Sequence, residues 1–333
     1  MDKRVTSIDV AKLADVSQAT VSRVFSPNSK VSDEKRQRVL DAADKLGYHA
    51  NAIARSLTTN RTNIIGIVMA NLTSAFYPYV LDKFLQNLQD MDKQVLVFTA
   101  SGNQVLDEIM PQVLQHRVDA LIVTSSTLSS EMAGEFARYG IPVVLFNRFV
   151  LNADVSAVCS DNVEGGRSVA NLLLDTGHQR LAYIAGQVNA STNAEREKGF
   201  FDRLAERGVT DVMREQGDFS YESGYRAAKK LLEREDRPDA IFCACDSMAL
   251  ATIDVARHEF GMQIRDDISV VGFDDIPMAS WPSYSLTTVA QQVDLMIDET
   301  LSLMLNKIDD LNIPPEKRLV PGKLQIRRSV RGA

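Results

Sequence analysis

Ser17-Gln18-Ala19-Thr20-Val21-Ser22-Arg23-Val24 is the stretch on which the reading of this chain turns. Val21 and Val24, with Val16 before them, fall on one side of a helix and leave Gln18, Ala19, Ser22 and Arg23 on the other. Upstream, Ile8, Val10, Ala11, Leu13 and Ala14 recur at helical spacing, with Ser7 as the expected N-cap and Asp9 in the first turn. Asp15-Val16 breaks that pattern, and Ser17 is placed to cap the next helix. Downstream, Pro27-Asn28 is turn chemistry. Ser32-Asp33-Glu34 then opens a third helix with Val39, Leu40, Ala43 and Leu46 as its apolar stripe and Gly47 at its end. This is the order of parts by which a helix-turn-helix offers side chains to base-pair edges.

A generic three-helix bundle would share that pattern, so residue choice has to decide. Ser17, Ala19 and Thr20 are small enough to let a helix approach a groove closely. The Arg23 fork matches guanine O6 and N7, and Gln18 can bond adenine. Thr6, Ser26, Lys30 and Ser32 suit phosphate contacts, which position without specifying. Charge agrees with this division. The 333 residues carry a net −7, yet the first 60 hold ten Lys/Arg against seven Asp/Glu, or +3, leaving −10 on the rest. A small basic module on an acidic body implies phosphate contact by the module alone.

Residues 51–58, Asn-Ala-Ile-Ala-Arg-Ser-Leu-Thr, are good helix formers in a run too short to be stable alone. Ile53 and Leu57 share a face, with Arg55 turned away. This is either a linker helix packed on the next domain or a hinge that orders on DNA with Leu57 as a minor-groove wedge.

From residue 63 onward strands and helices alternate. Strands are expected at 64–69, 94–99, 120–124, 142–146, 181–185, 240–245 and 268–273. Helices are expected at 79–90, 105–116, 163–175, 194–207, 222–233 and 247–260. Such alternation predicts parallel sheets covered on both faces by helices, and two series of domain size predict two lobes that close on a ligand. Ligands in open parallel sheets sit beyond the carboxyl ends of the strands. That rule selects Phe76 and Tyr77, Ser125 and Ser126, Asn147-Arg148, Asp218-Phe219, Asp246, and Asp274-Asp275. Singly, Asp246 and Asp274 would serve as caps; their convergence on one edge favours a site. Aromatic faces with Arg, Asp and Asn suit a polyhydroxylated molecule, whose C–H face packs on rings and whose hydroxyls pair with forked polar groups.

Other classes of function find little here. Neither a Gly-x-x-x-x-Gly-Lys-[Ser/Thr] loop, a Gly-x-Ser-x-Gly elbow nor a His-Glu-x-x-His pair occurs. His49, His116, His178 and His258 are scattered, so no catalytic residues, metal or cofactor are assigned. Gly165-Gly166 is read as close helix packing rather than a phosphate loop. Cys243-x-Cys245 is read as two small thiols on one face of a buried strand rather than half a metal site. Three cysteines give no disulfide framework, no apolar run reaches the ~20 residues of a membrane span, and no signal core opens the chain. A cytoplasmic protein with no membrane partner is expected.

With these residues in view, the chain resembles the lactose/galactose repressor family nearly end to end. The likeness is carried by Ile8-Asp9-Val10-Ala11, Val16-Ser17-x-x-Thr20-Val21-Ser22-Arg23-Val24 and the 51–57 segment. In the body it rests on Asp161-Asn162, Gly165-Gly166, Gly177-His178, Arg196-x-x-Gly199-Phe200, Val271-Gly272-Phe273-Asp274-Asp275 and Leu286-Thr287-Thr288-Val289. The resemblance implies an all-α helix-turn-helix head (1–49), a hinge helix and linker (50–61), and a two-lobed α/β sensor like periplasmic binding proteins (62–333). The chain would cross between lobes three times, giving an N-lobe of about 62–160 and 291–320 and a C-lobe of about 161–290 and 321–333. By position, Gln18, Ala19 and Arg23 would read bases and Leu57 would wedge the central step, with Thr6, Ser17, Thr20, Ser22, Lys30, Asn51, Ala54 and Arg55 also on the DNA side. Phe76, Tyr77, Ser125, Arg148, Arg196, Phe219, Asp246, Asp274 and Gln291 would hold the effector. The implied protein is a homodimeric operator-binding repressor, not an enzyme, controlled by a sugar, polyol or sugar acid. Ala190 stands where purine-type members carry an arginine, which turns the expectation from a purine toward a sugar. Ala19 is short at a base-reading position, so the operator does not transfer from a relative. The sequence ends Arg331-Gly332-Ala333 without a tetramerising heptad, so a dimer is expected.

Overall fold

The structure, a computed structural model, describes residues 5–25, 30–49, 61–70, 75–100, 109–124, 130–150 and 154–332. The expectations for Asn51, Ala54, Arg55, Leu57 and Ser125 lie outside the described residues, as does most of the 50–61 hinge. The chain divides into two compact units, residues 1–63 and 64–333.

The first unit is a helix-turn-helix head of α1 (Ser7–Ala14), α2 (Gln18–Val24) and α3 (Asp33–Leu46). Thr6, not Ser7, caps α1. Its hydroxyl accepts Asp9 N–H at 3.4 Å while the Asp9 carboxylate accepts Thr6 N–H at 2.9 Å, because the acidic residue lies three places beyond the cap. Asp15 turns left-handed at φ 51° to end α1, and the Ser17 hydroxyl accepts Thr20 N–H at 3.2 Å to start α2. Gly47, at φ 63°, ends α3.

The head core is small: Val10, Ala11, Ala14, Val21, Val24, Val39, Ala42 and Ala43. Leu40, expected inside, is 41% exposed, since the buried stripe runs through Val39, Ala42 and Ala43 at i, i+3 and i+4. Two arginines of α3 reinforce this core. Arg38 Nη2 donates to Ala14 O at 2.6 Å and meets the Asp15 carboxylate at 3.3 Å, while Arg36 Nη1 donates to Val24 O at 3.3 Å. The last carbonyls of α1 and α2 are thereby satisfied by cations, as helix C-termini favour.

The second unit holds two sheets with helices between their strands. The strands are β1 (Ile64–Ala70), β2 (Gln94–Ala100), β3 (Ala120–Val123), β4 (Val143–Phe146), β5 (Ser156–Ser160) and β6 (Leu181–Ala185). They continue with β7 (Met213–Gln216), β8 (Ala240–Cys243), β9 (Ser269–Asp274), β10 (Thr287–Ala290), β11 (Lys317–Val320) and β12 (Lys323–Gln325). The helices are α4 (Phe76–Asp90), α5 (Met110–His116), α6 (Ser130–Arg138) and α7 (Asn162–Asp175). After them come α8 (Ser191–Glu206), α9 (Tyr221–Leu232), α10 (Asp246–His258) and α11 (Val293–Asp309).

The N-lobe sheet runs β11-β5-β4-β3-β1-β2, parallel throughout; the C-lobe sheet runs β12-β10-β9-β8-β6-β7, parallel except for the β10–β12 pair. The chain passes from one sheet to the other after β5, after β10 and after β11. Central strands β3, β4, β5, β6, β8 and β9 are buried along their whole length, as sheets covered on both faces require. The close α7–α8 contact depends on glycine: a Cβ at Gly166 would strike the Arg196 carbonyl and one at Gly199 the Val163 backbone. The Gly165-Gly166 pair is thus a packing device, as expected.

Candidate functional site

In the head, α2 buries Val21 and Val24 and leaves Ser17, Gln18, Ala19, Ser22 and Arg23 exposed, with Thr20 half-buried; Thr6 and Lys30 are exposed beyond it. Gln18 Nε2 donates to Ser7 Oγ at 3.1 Å, so its amide is held over the start of α1. Ser17 Oγ is engaged with Thr20 Oγ1 at 2.9 Å, and the Thr6 hydroxyl donates to Asp9 at 2.7 Å. Ser17 and Thr6 therefore shape their helix ends before they touch anything else.

In the sensor, Phe76, Tyr77, Asn147, Arg148, Thr192, Arg196, Phe219, Cys245 and Asp274 line a cavity of about 340 Å³. Each lies at a strand's carboxyl end or in the first turns of the helix that follows. Seven residues expected from sequence are brought together here: Phe76, Tyr77, Asn147, Arg148, Arg196, Phe219 and Asp274. Phe76 and Tyr77 meet edge to face with centroids 5.5 Å apart, and the Arg148 guanidinium lies over the Phe219 ring at 5.6 Å. Asn147, Phe219 and Asp274 all adopt positive φ (66°, 73° and 123°), a cost concentrated on the cavity wall.

Arg196 is 2% exposed, and the protein itself engages each of its nitrogens. Nε donates to Asn162 Oδ1 at 2.9 Å, Nη1 to Ala244 O at 2.5 Å, and Nη2 meets Asp274 Oδ1 at 3.2 Å. Its plane stacks 3.7 Å from the Phe273 centroid. Gln291 stands behind Asp274 rather than on the cavity wall, donating Nε2 to Asp274 Oδ1 at 2.7 Å. Burial raises the Asp274 pKa despite the opposing Arg196 charge and Gln291 hydrogen bond. Asn147 Oδ1 and Gln291 Oε1 are buried acceptors with no partner among the described residues. A donor arriving with a ligand would satisfy the one at Asn147.

Asp246 departs from expectation. It is fully buried beneath the cavity and does not line it. Oδ1 accepts the Thr288 hydroxyl at 2.6 Å and Oδ2 accepts Ile276 N–H at 2.9 Å. Its carboxyl thus pins the Asp274-Asp275 turn and, being fully buried, is not presented to the cavity. Burial, with the Asp274 charge second, pushes its pKa up to about 7. A side chain at position 272 would collide with this carboxylate, so Gly272 makes room for it.

Two lining residues, Thr192 and Cys245, escape sequence-based assignment. Thr192 sits one turn ahead of Arg196 on the same face of α8, a spacing that could flag it. Asn147, selected with Arg148 by the strand-end rule, does line the cavity. Cys245, expected beside Cys243 on a strand, lies past that strand's end at Cys243; it opens onto the cavity, with Sγ donating to Phe219 O at 3.6 Å. Burial raises both thiol pKa values, Cys243 to about 12, and neither is an exposed nucleophile. Among the described residues no group of three or more His, Cys, Asp or Glu is placed to hold a metal ion, and no helix is long and apolar enough to cross a membrane.

Comparison with known proteins matches residues 7–51 to "Bacterial regulatory proteins, lacI family" and residues 62–331 to "Periplasmic binding proteins and sugar binding domain of LacI family". The chain is 32% identical over 331 residues to the HTH-type transcriptional repressor PurR of Yersinia enterocolitica, covering 97% of this chain and 96% of that one. A crystal structure of the lac repressor dimer bound to operator and the anti-inducer ONPF superposes with a TM-score of 0.88 at 26% identity, covering 99% of this chain and 100% of that one. The transcriptional regulator CelR–cellobiose complex matches at a TM-score of 0.73 and 30% identity, covering 98% and 100%.

Proposed function

The chain belongs to the LacI family of bacterial regulatory proteins, and from that membership we propose a repressor whose grip on operator DNA is set by a small polyhydroxylated effector. One observation carries the reading: a single chain holds an exposed polar helix over a small capped core and a buried charged cavity at the ends of parallel strands. Arg23 and Gln18 read base edges in the major groove, Ser17, Ala19, Thr20 and Ser22 permit close approach, and Thr6 and Lys30 meet phosphates. Asn51, Ala54, Arg55 and Leu57 form the hinge contacts, with Leu57 as the wedge. As the lac repressor of the solved complex is a dimer on its operator, this chain is proposed to pair about a two-fold axis on a pseudo-palindromic site in the cytoplasm.

The effector is a sugar, polyol or sugar acid. Phe76, Tyr77 and Phe219 supply ring faces, while Asn147, Arg148 and Asp274 supply forked polar groups for hydroxyls. Arg196, fully engaged by the protein, mainly holds Asp274 in place. Effector binding shifts the relative orientation of the lobes and with it operator affinity, a coupling of about 1–3 kcal/mol or roughly 5–150-fold in such switches. The test is a thermal-shift screen of the full chain against sugars, polyols and sugar acids, followed by gel shift on genomic fragments with each hit. Retardation that weakens with salt and changes with one hit supports the reading; hits that leave retardation untouched contradict it.

A further inference from the structure

The first two turns of α8 present two adjacent faces. Thr192 and Arg196, four residues apart, face the cavity. Ser191 and Glu195, also four apart and one step round, face the N-lobe. Ser191 Oγ accepts Phe149 N–H at 3.2 Å, just beyond β4, and the Glu195 carboxylate meets Lys317 Nζ of β11 at 3.4 Å. Lys317 Nζ also lies 3.3 Å from the Phe149 ring centroid, so one cation touches both an N-lobe ring and a C-lobe carboxylate.

The same carboxylate is tied to the cavity. Asn162, at the first crossing between lobes, donates Nδ2 to Glu195 Oε2 at 3.1 Å and accepts Arg196 Nε on Oδ1 at 2.9 Å. A continuous chain of polar contacts therefore runs Asp274–Arg196–Asn162–Glu195–Lys317, from the ligand wall to the gap between lobes. We infer that Glu195 and Lys317 are positioning residues for the effector response: an interlobe latch, seated on Phe149, that holds the lobes in one relative orientation and is loaded through α8 by whatever engages Asp274. The inference deepens the proposed function, since it names the element that the effector biases. Glu195 is well shielded for a surface carboxylate, its side chain 19% exposed, and it is held from both lobes, so the pair is more than a chance encounter of long side chains.

The test needs neither DNA nor effector, so its failure is separable from failure of the repressor reading. Cys159, Cys243 and Cys245 are buried, which lets cysteines introduced at Asp90 and Glu235, one exposed site per lobe, be labelled selectively. Interlobe distance distributions of the full chain are then recorded by spin-label or fluorescence methods for the effector-free wild type, Glu195→Gln, Lys317→Met and the double variant. Each single variant is expected to move the ratio of lobe orientations about two- to fivefold, and the double variant no further than either single. High salt should move the wild type the same way and leave the double variant unmoved. Unchanged distributions in both singles, or singles whose effects simply add, would overturn the latch. Should one variant fold poorly, Phe149→Leu removes the ring under Lys317 without touching the carboxylate and is expected to shift the same ratio in the same direction; no shift in that variant counts against the latch.

Discussion

Head and sensor handle charge in opposite ways. The head buries only valines and alanines in its core and displays Gln18, Ser22 and Arg23 on the outside. The sensor takes Arg196, Asp246 and Asp274 inside, where each is compensated by a partner drawn from elsewhere in the fold. An exposed side chain on a capped helix can change identity with little effect on folding, so the head can vary what it reads. A buried charge cannot change without unbalancing its neighbours, so in the sensor recognition and stability are joined. Substitutions of equal chemical size should therefore separate the two regions cleanly.

The largest effect is expected at Asp274→Ala, which strands the Arg196 guanidinium; removing one partner of a buried pair costs about 3–5 kcal/mol. The thermal midpoint of the sensor should drop steeply and the response to any effector should vanish. A normal midpoint would show that Arg196 does not depend on Asp274 and would weaken the contrast. Next comes pH. The raised Asp246 pKa means that the folded chain holds a proton which the unfolded chain releases near its ordinary value of 3.8. Stability from this group is thus greatest below about pH 4, is lost as pH rises toward about 7, and is level above that. Asn at 246 can still accept Ile276 N–H and donate to Thr288, so Asp246→Asn should flatten the fall by an amount on the order of a few kcal/mol. Parallel pH curves for the two proteins would remove the buried proton from the account.

Smaller and different in kind is Arg23→Ala. It should lose about 1–3 kcal/mol of discrimination at one base pair while the thermal midpoint stays put. A fall in stability without a change in base preference would make Arg23 a structural residue and break the comparison from the head side. Smallest is Thr6→Ala, expected to cost about 1 kcal/mol by opening the capping box. If affinity for all duplexes falls while stability does not, Thr6 contributes through phosphate contact instead.

Legibility in the sequence divides along the same line. Outward residues of α2 can be read because periodicity alone fixes which side of a short helix is buried. Central strands such as β1, β8 and β9 announce themselves by unbroken apolar runs, and strand ends point to Phe76, Arg148, Phe219 and Asp274. Edge strands β7 (Met-Arg-Glu-Gln) and β11 (Lys-Arg-Leu-Val) do not, because two residues in each four are charged and at most one is buried. Asp246 cannot be told from Asp274 by position, as both stand where a strand gives out. Thr288 and Gly272 separate them, partners brought close only by the folded sheet. Thr6 is less conspicuous as a cap than its neighbour Ser7, although Asp9, three residues on, holds the cue.

Binding of a selected duplex to the full chain, followed by fluorescence anisotropy across a salt series, tests the central claim most directly when repeated with a saturating sugar that raises the thermal midpoint. A dissociation constant that weakens steeply with salt, and moves by roughly 5–150-fold when the cavity is filled, is the expected result. Tight effector binding with an unmoved dissociation constant, or no salt-sensitive retention of any duplex, would contradict it.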